Sequence, residues 1–264
     1  MDTMWTAVRT LGLSLVGTST VMFLTWMVQL RTRNAGVVDA VWALSIGALA
    51  LLFAALADGW SGRRLAIATV MGLWSARLGI YLLRDRVIGK PEDGRYTALR
   101  REWGSMAPLR MLWFFQTQAL AAVFFALPAF VASANRIARF SIVEVLTLVL
   151  WTAAFSGEVV ADHQLERFKT DARNRGRTCR MGLWRYSRHP NYFCEWLMWV
   201  AFALFACTSP FGAATILCPL AMLYLLLSVT GVPLAEAQAL RSRGDDYRRY
   251  QQTTNRFFPW RPRT

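Results

Sequence analysis

Apolar residues along the chain gather into long, nearly unbroken blocks separated by short basic stretches. They show neither the alternation of half-buried strands nor the narrow stripe of a soluble amphipathic helix. A helix needs about 20 apolar residues to cross a bilayer. The blocks at 6–29, 36–57, 65–83, 111–133, 141–161, 192–208 and 211–235 predict seven such spans, the sixth being the shortest. Barrel strands would read as alternating segments of roughly 10 residues, which these blocks do not contain. The expected fold is an all-α integral membrane protein, a seven-transmembrane helix bundle with residues 1–264 in a single membrane domain.

Composition agrees with that setting: 55% of residues are hydrophobic, 12 are Trp, and mean hydropathy is +0.29. The charges orient the bundle. Segments 31–35, 84–110, 162–191 and the tail after Glu236 hold most of the 30 Lys and Arg, whereas the opposite face holds only Arg9, Arg63, Arg64, Arg136 and Arg139. The positive-inside rule then places the N terminus outside and the C terminus in the cytoplasm. The net charge of +14 follows from topology and anionic headgroups, so membrane lipids are expected partners and nucleic acid is not. No obligatory protein partner is evident. The first block is expected to remain in the mature chain, because its apolar run is too long for a cleaved signal segment. Short loops point to a bacterial cytoplasmic membrane.

The four cysteines, Cys179, Cys194, Cys207 and Cys218, have no CxxC spacing, and there are only two histidines. They are read as packing thiols, with no metal site expected. No GxGxxG follows a strand-like run, and no GxxxxGK[ST] or GxSxG element occurs. Any nucleotide must therefore bind the membrane fold itself.

Ionisable residues within spans cost about 2.5–3.5 kcal/mol each on insertion scales and are functional candidates by default. Asp39, Arg77, Glu158, Asp162, Glu195 and Glu236 are all expected at the cytoplasmic level of their spans, with Glu144 the exception at the outer end of span five. Along span five, Glu158, Asp162 and either Leu165 or Glu166 stack on one face, with Lys169 a further turn out and Arg173 beyond it. The segment Gly182–Glu195, GLWRYSRHPNYFCE, then sets cations, a ring and a carboxylate against the start of span six. Pro190 suits a first helical turn, so Asn191 and Glu195 fall one turn apart on one face, with Arg185, Arg188 and His189 just outside. A helix N-terminus beside guanidinium groups suits phosphate, and the amide and carboxylate suit a neutral polar ring.

These residues, with Asp162, Lys169, Arg177 and a tyrosine-rich basic tail containing FFP, resemble the steroid 5α-reductase family, especially its bacterial branch. The likeness is strong from the second half of the fifth block onward and weak before it. The RHPxY element is shared with isoprenylcysteine carboxyl methyltransferases, but Asn191 followed by Glu195 matches the reductases. The resemblance implies NADPH bound by residues 141–264, with Asn191 and Glu195 at the nicotinamide end. Asp162, Lys169 and Arg177 would serve the ribose and phosphates, with Trp184, Tyr186, Arg188 and His189 around them. Asp85 and Arg86 match a family Asn-Arg pair of the same role. Residues 1–110 become the substrate-side helices. There Asp39 stands for a glutamate that holds the substrate ketone, with Trp42 beside it. Trp74 occupies the position of the family's tyrosine, so Tyr81 is the substitute proton donor. Trp199 faces the substrate.

The implied reaction is reduction of the conjugated double bond of a lipophilic 3-oxo-4-ene steroid or similar enone. Hydride attacks the β-carbon, and Asp39, Glu195 or Tyr81 stabilises and protonates the enolate. An S-adenosylmethionine-dependent membrane methyltransferase would use the same RHPNY turn. A non-enzymatic transporter or lipid-binding protein would use the carboxylate layer as a proton relay.

Overall fold

The computed structural model describes residues 2–263, with side chains from Met4 onward, and among these the regular structure is helical throughout. Among the described residues, six helical stretches are long and apolar enough to cross a membrane, which makes the chain a multi-pass integral membrane protein. They cover the expected spans except that at 192–208. That block forms α8 (Pro190–Ala206), whose 17 residues rise about 26 Å, short of a hydrocarbon core of about 30 Å.

The chain divides into two compact units, Met1–Arg139 and Phe140–Thr264. The N-terminal unit holds α1 (Asp2–Thr32), α2 (Val37–Leu56), α3 (Ser61–Leu82), α4 (Gly94–Trp103), α5 (Ala107–Phe125) and α6 (Leu127–Ser133). α2 buries a stripe of small residues, Ala40, Ala43, Gly47, Ala50 and Ala54, against α3. Small side chains let helix backbones approach closely where lipid removes the hydrophobic drive for association. A Cβ on Gly47 would overlap the Ser75 hydroxyl, which donates to the Ala43 carbonyl at 2.7 Å. The expected fourth span is broken between α5 and α6, where Pro128 lies in the first turn of the new helix. Arg63, 2% exposed, gathers the chain beyond α6. It donates to the carbonyls of Asn135, Ile137 and Arg139 at 3.2, 2.9 and 2.8 Å. A guanidinium, with several donors in a fixed fork, is suited to such a set of loop carbonyls.

Segment 84–110 is more ordered than a basic loop. A π turn at Leu83–Val87 extends α3, and Asp93 then caps α4 by accepting from the Arg95 N–H at 2.9 Å. Glu92 accepts from the Ala35 N–H at 2.8 Å and pairs with Arg100 at 3.0 Å. Arg100 in turn donates to Gln29 at 2.6 Å. The segment is thereby folded onto the turn between α1 and α2.

The C-terminal unit holds α7 (Ile142–Thr170), α8, α9 (Leu217–Tyr224) and α10 (Val232–Thr253). Glu144, expected at the outer end of span five, completes a capping box with Ser141 at the start of α7. α7 continues well past the expected 161, so Lys169 remains on the helix, whereas Arg173 lies beyond it and pairs with Asp171 at 2.7 Å. The expected span at 211–235 is interrupted by a π turn at Leu225–Val229 and by non-helical Gly231. The stretch after Glu236, read as a tail, is mostly helix. It kinks at Gly244, whose φ of 50° only glycine adopts without strain.

Candidate functional site

Within the C-terminal unit, α7 and α8 pack side by side and bring three carboxylates together. Glu158 and Glu195 are 7% and 8% exposed and Asp162 is half-buried. The helices are close here: a Cβ on Gly157 of α7 would lie 2.9 Å from the Cys194 sulfur of α8. Pro190 occupies the first turn of α8, as expected. Asn191 donates to Asp162 Oδ1 at 3.1 Å, and its own Oδ1 accepts the Tyr192 N–H at 3.0 Å. One turn deeper, Trp199 donates its indole N–H to Glu195 Oε1 at 2.9 Å. The expected pairing of Asn191 with Glu195 on one helix face is therefore present, with Asp162 and Trp199 as the partners that orient them. A polar ring or ribose would find acceptors here on two carboxylates and an amide.

The turn leading into α8 is docked on α7. Trp184 donates to the Ala161 carbonyl at 2.8 Å, and Gln164 accepts the Leu183 N–H at 2.9 Å. Gly182 has a φ of 57°, and a Cβ there would strike the Gln164 side chain. Trp184 thus holds the turn in place, whereas Tyr186, Arg185, Lys169 and Arg177 have exposed side chains.

Arg188 and His189, expected to face phosphate, turn inward instead. Arg188 donates to Glu236 Oε1 at 2.7 Å and to the carbonyls of Gln251 and Thr254 at 2.9 Å each. His189 Nε2 lies 3.4 Å from the same Glu236 oxygen, and Tyr247 donates to it at 3.4 Å. Gln251 donates to the other oxygen at 3.1 Å. The ring of His189 stacks on Tyr192 at 5.5 Å. Burial is the main cause holding the His189 pKa below its usual value, against the pull of Glu236. The sequence shows Glu236 and the tyrosines separately. Their convergence on Arg188 depends on α10 returning to the α8 turn, which no local spacing encodes.

In the N-terminal unit, Asp39 is engaged rather than open. Arg95 donates to Asp39 Oδ2 at 2.8 Å and Tyr96 to Oδ1 at 2.7 Å. Arg86 lies 3.7 Å from both Asp39 and Asp93. Burial opposes ionisation of Asp93, yet its bonds to Arg95 hold the carboxyl below the usual range. Trp42 meets Trp74 edge-on at 6.3 Å, and Trp74 is buried. Tyr81 is half exposed on α3, and Asp85 is exposed in the π turn. Sequence reasoning missed Arg95 and Tyr96. The available signal was Asp93 before a helical run, an N-cap that fixes where α4 begins and which side chains follow.

The sequence model of a family described as a protein of unknown function (DUF1295) matches residues 25–254. An uncharacterized protein of Schizosaccharomyces pombe, C594.04c, is 29% identical over 265 aligned positions, covering 89% of this chain and 75% of that protein. No solved structure matches.

Proposed function

The chain belongs to the DUF1295 family of proteins of unknown function, and from the geometry of its own residues we propose that it is a membrane-embedded, NADPH-dependent reductase. Its substrate is a lipophilic enone such as a 3-oxo-4-ene steroid, reduced at the conjugated double bond. One observation carries the reading: the head of α8 presents Asn191, held by Asp162, one turn from Glu195, held by Trp199.

The donor set fits a dinucleotide. Asp162, Asn191 and Glu195 offer acceptors and an amide for a carboxamide and ribose hydroxyls, while Lys169 and Arg177 are exposed cations of the same unit. NADPH, when bound, supplies hydride to the β-carbon. Asn191 and Glu195 orient the carboxamide end, and their partners prevent either side chain from swinging away. Arg188 and His189 act as the frame that positions Pro190 and Asn191. Within the C-terminal unit the carboxyl of Glu195 is the donor assigned to the ketone oxygen and to protonation of the enolate; Asp39 is not given that role, because its carboxylate accepts from Arg95 and Tyr96. In topology, α8 is assigned as a seventh crossing, with the N terminus outside and the cofactor residues facing the cytoplasm of a bacterial inner membrane.

The test is thermal stabilisation of the detergent-purified protein by NADPH, NADH and S-adenosylmethionine, with Arg177→Ala and Glu195→Gln alongside. A ligand at 100 times its Kd stabilises the folded state by about 2.7 kcal/mol. A rise with NADPH that shrinks in both variants is expected. A rise with S-adenosylmethionine alone replaces reduction with methyl transfer, and no rise with any of the three favours a transporter or lipid-binding protein.

A further inference from the structure

We propose that the segment after α10 is an interfacial strap that docks on the anionic phospholipid headgroups of the leaflet at the head of α8. The inference rests on the membrane setting of the chain and stands whether or not a nicotinamide cofactor binds.

The strap is fastened to the turn before α8 at successive points. Arg188 N–H donates to the Asn255 carbonyl at 2.8 Å and Trp260 N–H to the Tyr186 carbonyl at 3.0 Å. Ser187 Oγ donates to the Phe257 carbonyl at 2.7 Å. Pro259 and Pro262 restrict the backbone between and beyond these ties. The strap therefore presents a fixed edge and not a loose tail.

Its depth follows from its aromatic contacts. Phe257 and Phe258 both meet Phe193 and Trp196, with ring centroids 5.8–6.2 Å apart. Phe193 and Trp196 lie in the first two turns of α8, and the helix beyond them is apolar. The strap thus lies at the level where α8 leaves the polar layer.

Its outward chemistry is that of an interface. Phe257 is buried, but Phe258 is 55% and Trp260 75% exposed. Exposed Arg261 and Arg263 flank Trp260, and Arg256, exposed as well, also donates to the Leu227 carbonyl at 3.2 Å. Tryptophan favours the headgroup level because its ring is apolar and its N–H polar. Each arginine near an anionic surface adds about 1 kcal/mol, or about fivefold in affinity. Alternating rings and guanidinium groups on one short segment match a layer that is greasy below and negatively charged above. Because the same segment backs Tyr186–Arg188, its seating on lipid also steadies the first turn of α8.

Hydrogen exchange of the full chain in nanodiscs tests this. Residues 254–263 are expected to exchange several-fold more slowly in phosphatidylcholine discs containing phosphatidylglycerol than in pure phosphatidylcholine, with the difference reduced by salt. The difference should shrink on replacing Arg256, Arg261 and Arg263 with Gln, and on Trp260→Ala, while α7 keeps its protection as a control for folding. Equal exchange of the wild type in the two discs overturns the proposal. So does protection in pure phosphatidylcholine discs produced by inorganic phosphate, which would mark a soluble-anion site, or by NADPH, which would assign the strap to the cofactor.

Discussion

His189 shows how one side chain can be conspicuous in sequence and still be misread. Beside a proline and two arginines it suggests an anion-binding turn, yet it is buried between Tyr192 and Glu236. The charged groups acting on it are Glu236, Arg188 and Arg256. Burial dominates and lowers its pKa, so the unfolded chain binds a proton more readily than the folded one. The contribution of His189 to stability is therefore fully present above its ordinary value of about 6.5 and is lost as pH falls through the lower folded value. Thermal unfolding midpoints in detergent should drop between neutral pH and about 5, and His189→Gln should flatten that slope. A slope unchanged in the variant would place the titrating group elsewhere. Asn191 and Glu195 were legible because proline fixes the helix start and the 3.6-residue period does the rest. The inward turn of Arg188 was not, since its partner Glu236 is distant in sequence and arrives on another helix.

At the scale of the element, apolar block length predicted helices well and their ends poorly. α7 outruns its apolar block because polar residues up to Thr170 continue the helix without changing its period. The block at 111–133 is divided by Pro128, and that at 211–235 by a π turn and Gly231, breaks that hydropathy averages away. The small-residue stripe of α2 carried no partner until α3 supplied Ser75 opposite Gly47, while Gly79 of α3 lies against Leu44 beside the stripe. Gly47→Leu should therefore force α2 and α3 apart and cost about 2 kcal/mol, the scale of an overpacked core. Gly72 on α3 has open space at its Cβ position. Gly72→Ala should be neutral or stabilising by roughly 0.5–1 kcal/mol through helix propensity. Unfolding midpoints of the two variants measured side by side check the contrast, and equal effects would mean that helix contact at Gly47 is not limiting.

For the whole molecule, one helix decides the topology. Six stretches meet the length and hydropathy needed to cross, and an even number would return both termini to one side of the membrane. α8 makes the number odd if it also crosses, and two features argue that it does. Its residues from Met198 to Ala206 are almost all buried and apolar within the C-terminal unit. It also begins at a turn whose surroundings carry Lys169, Arg177, Arg185 and the arginines of the strap, the sign expected on the cytoplasmic side. A rise of about 26 Å is short of about 30 Å, but local thinning of the bilayer absorbs a few ångströms at a fraction of a kcal/mol each. Reporter fusions at the two ends, one active only in the cytoplasm and one only outside it, should then place the C terminus inside and the N terminus outside. Both ends on the same side would make α8 re-entrant. The carboxylates at its head would then serve a helix that dips into the membrane and returns, and the seven-span bundle would have to be abandoned.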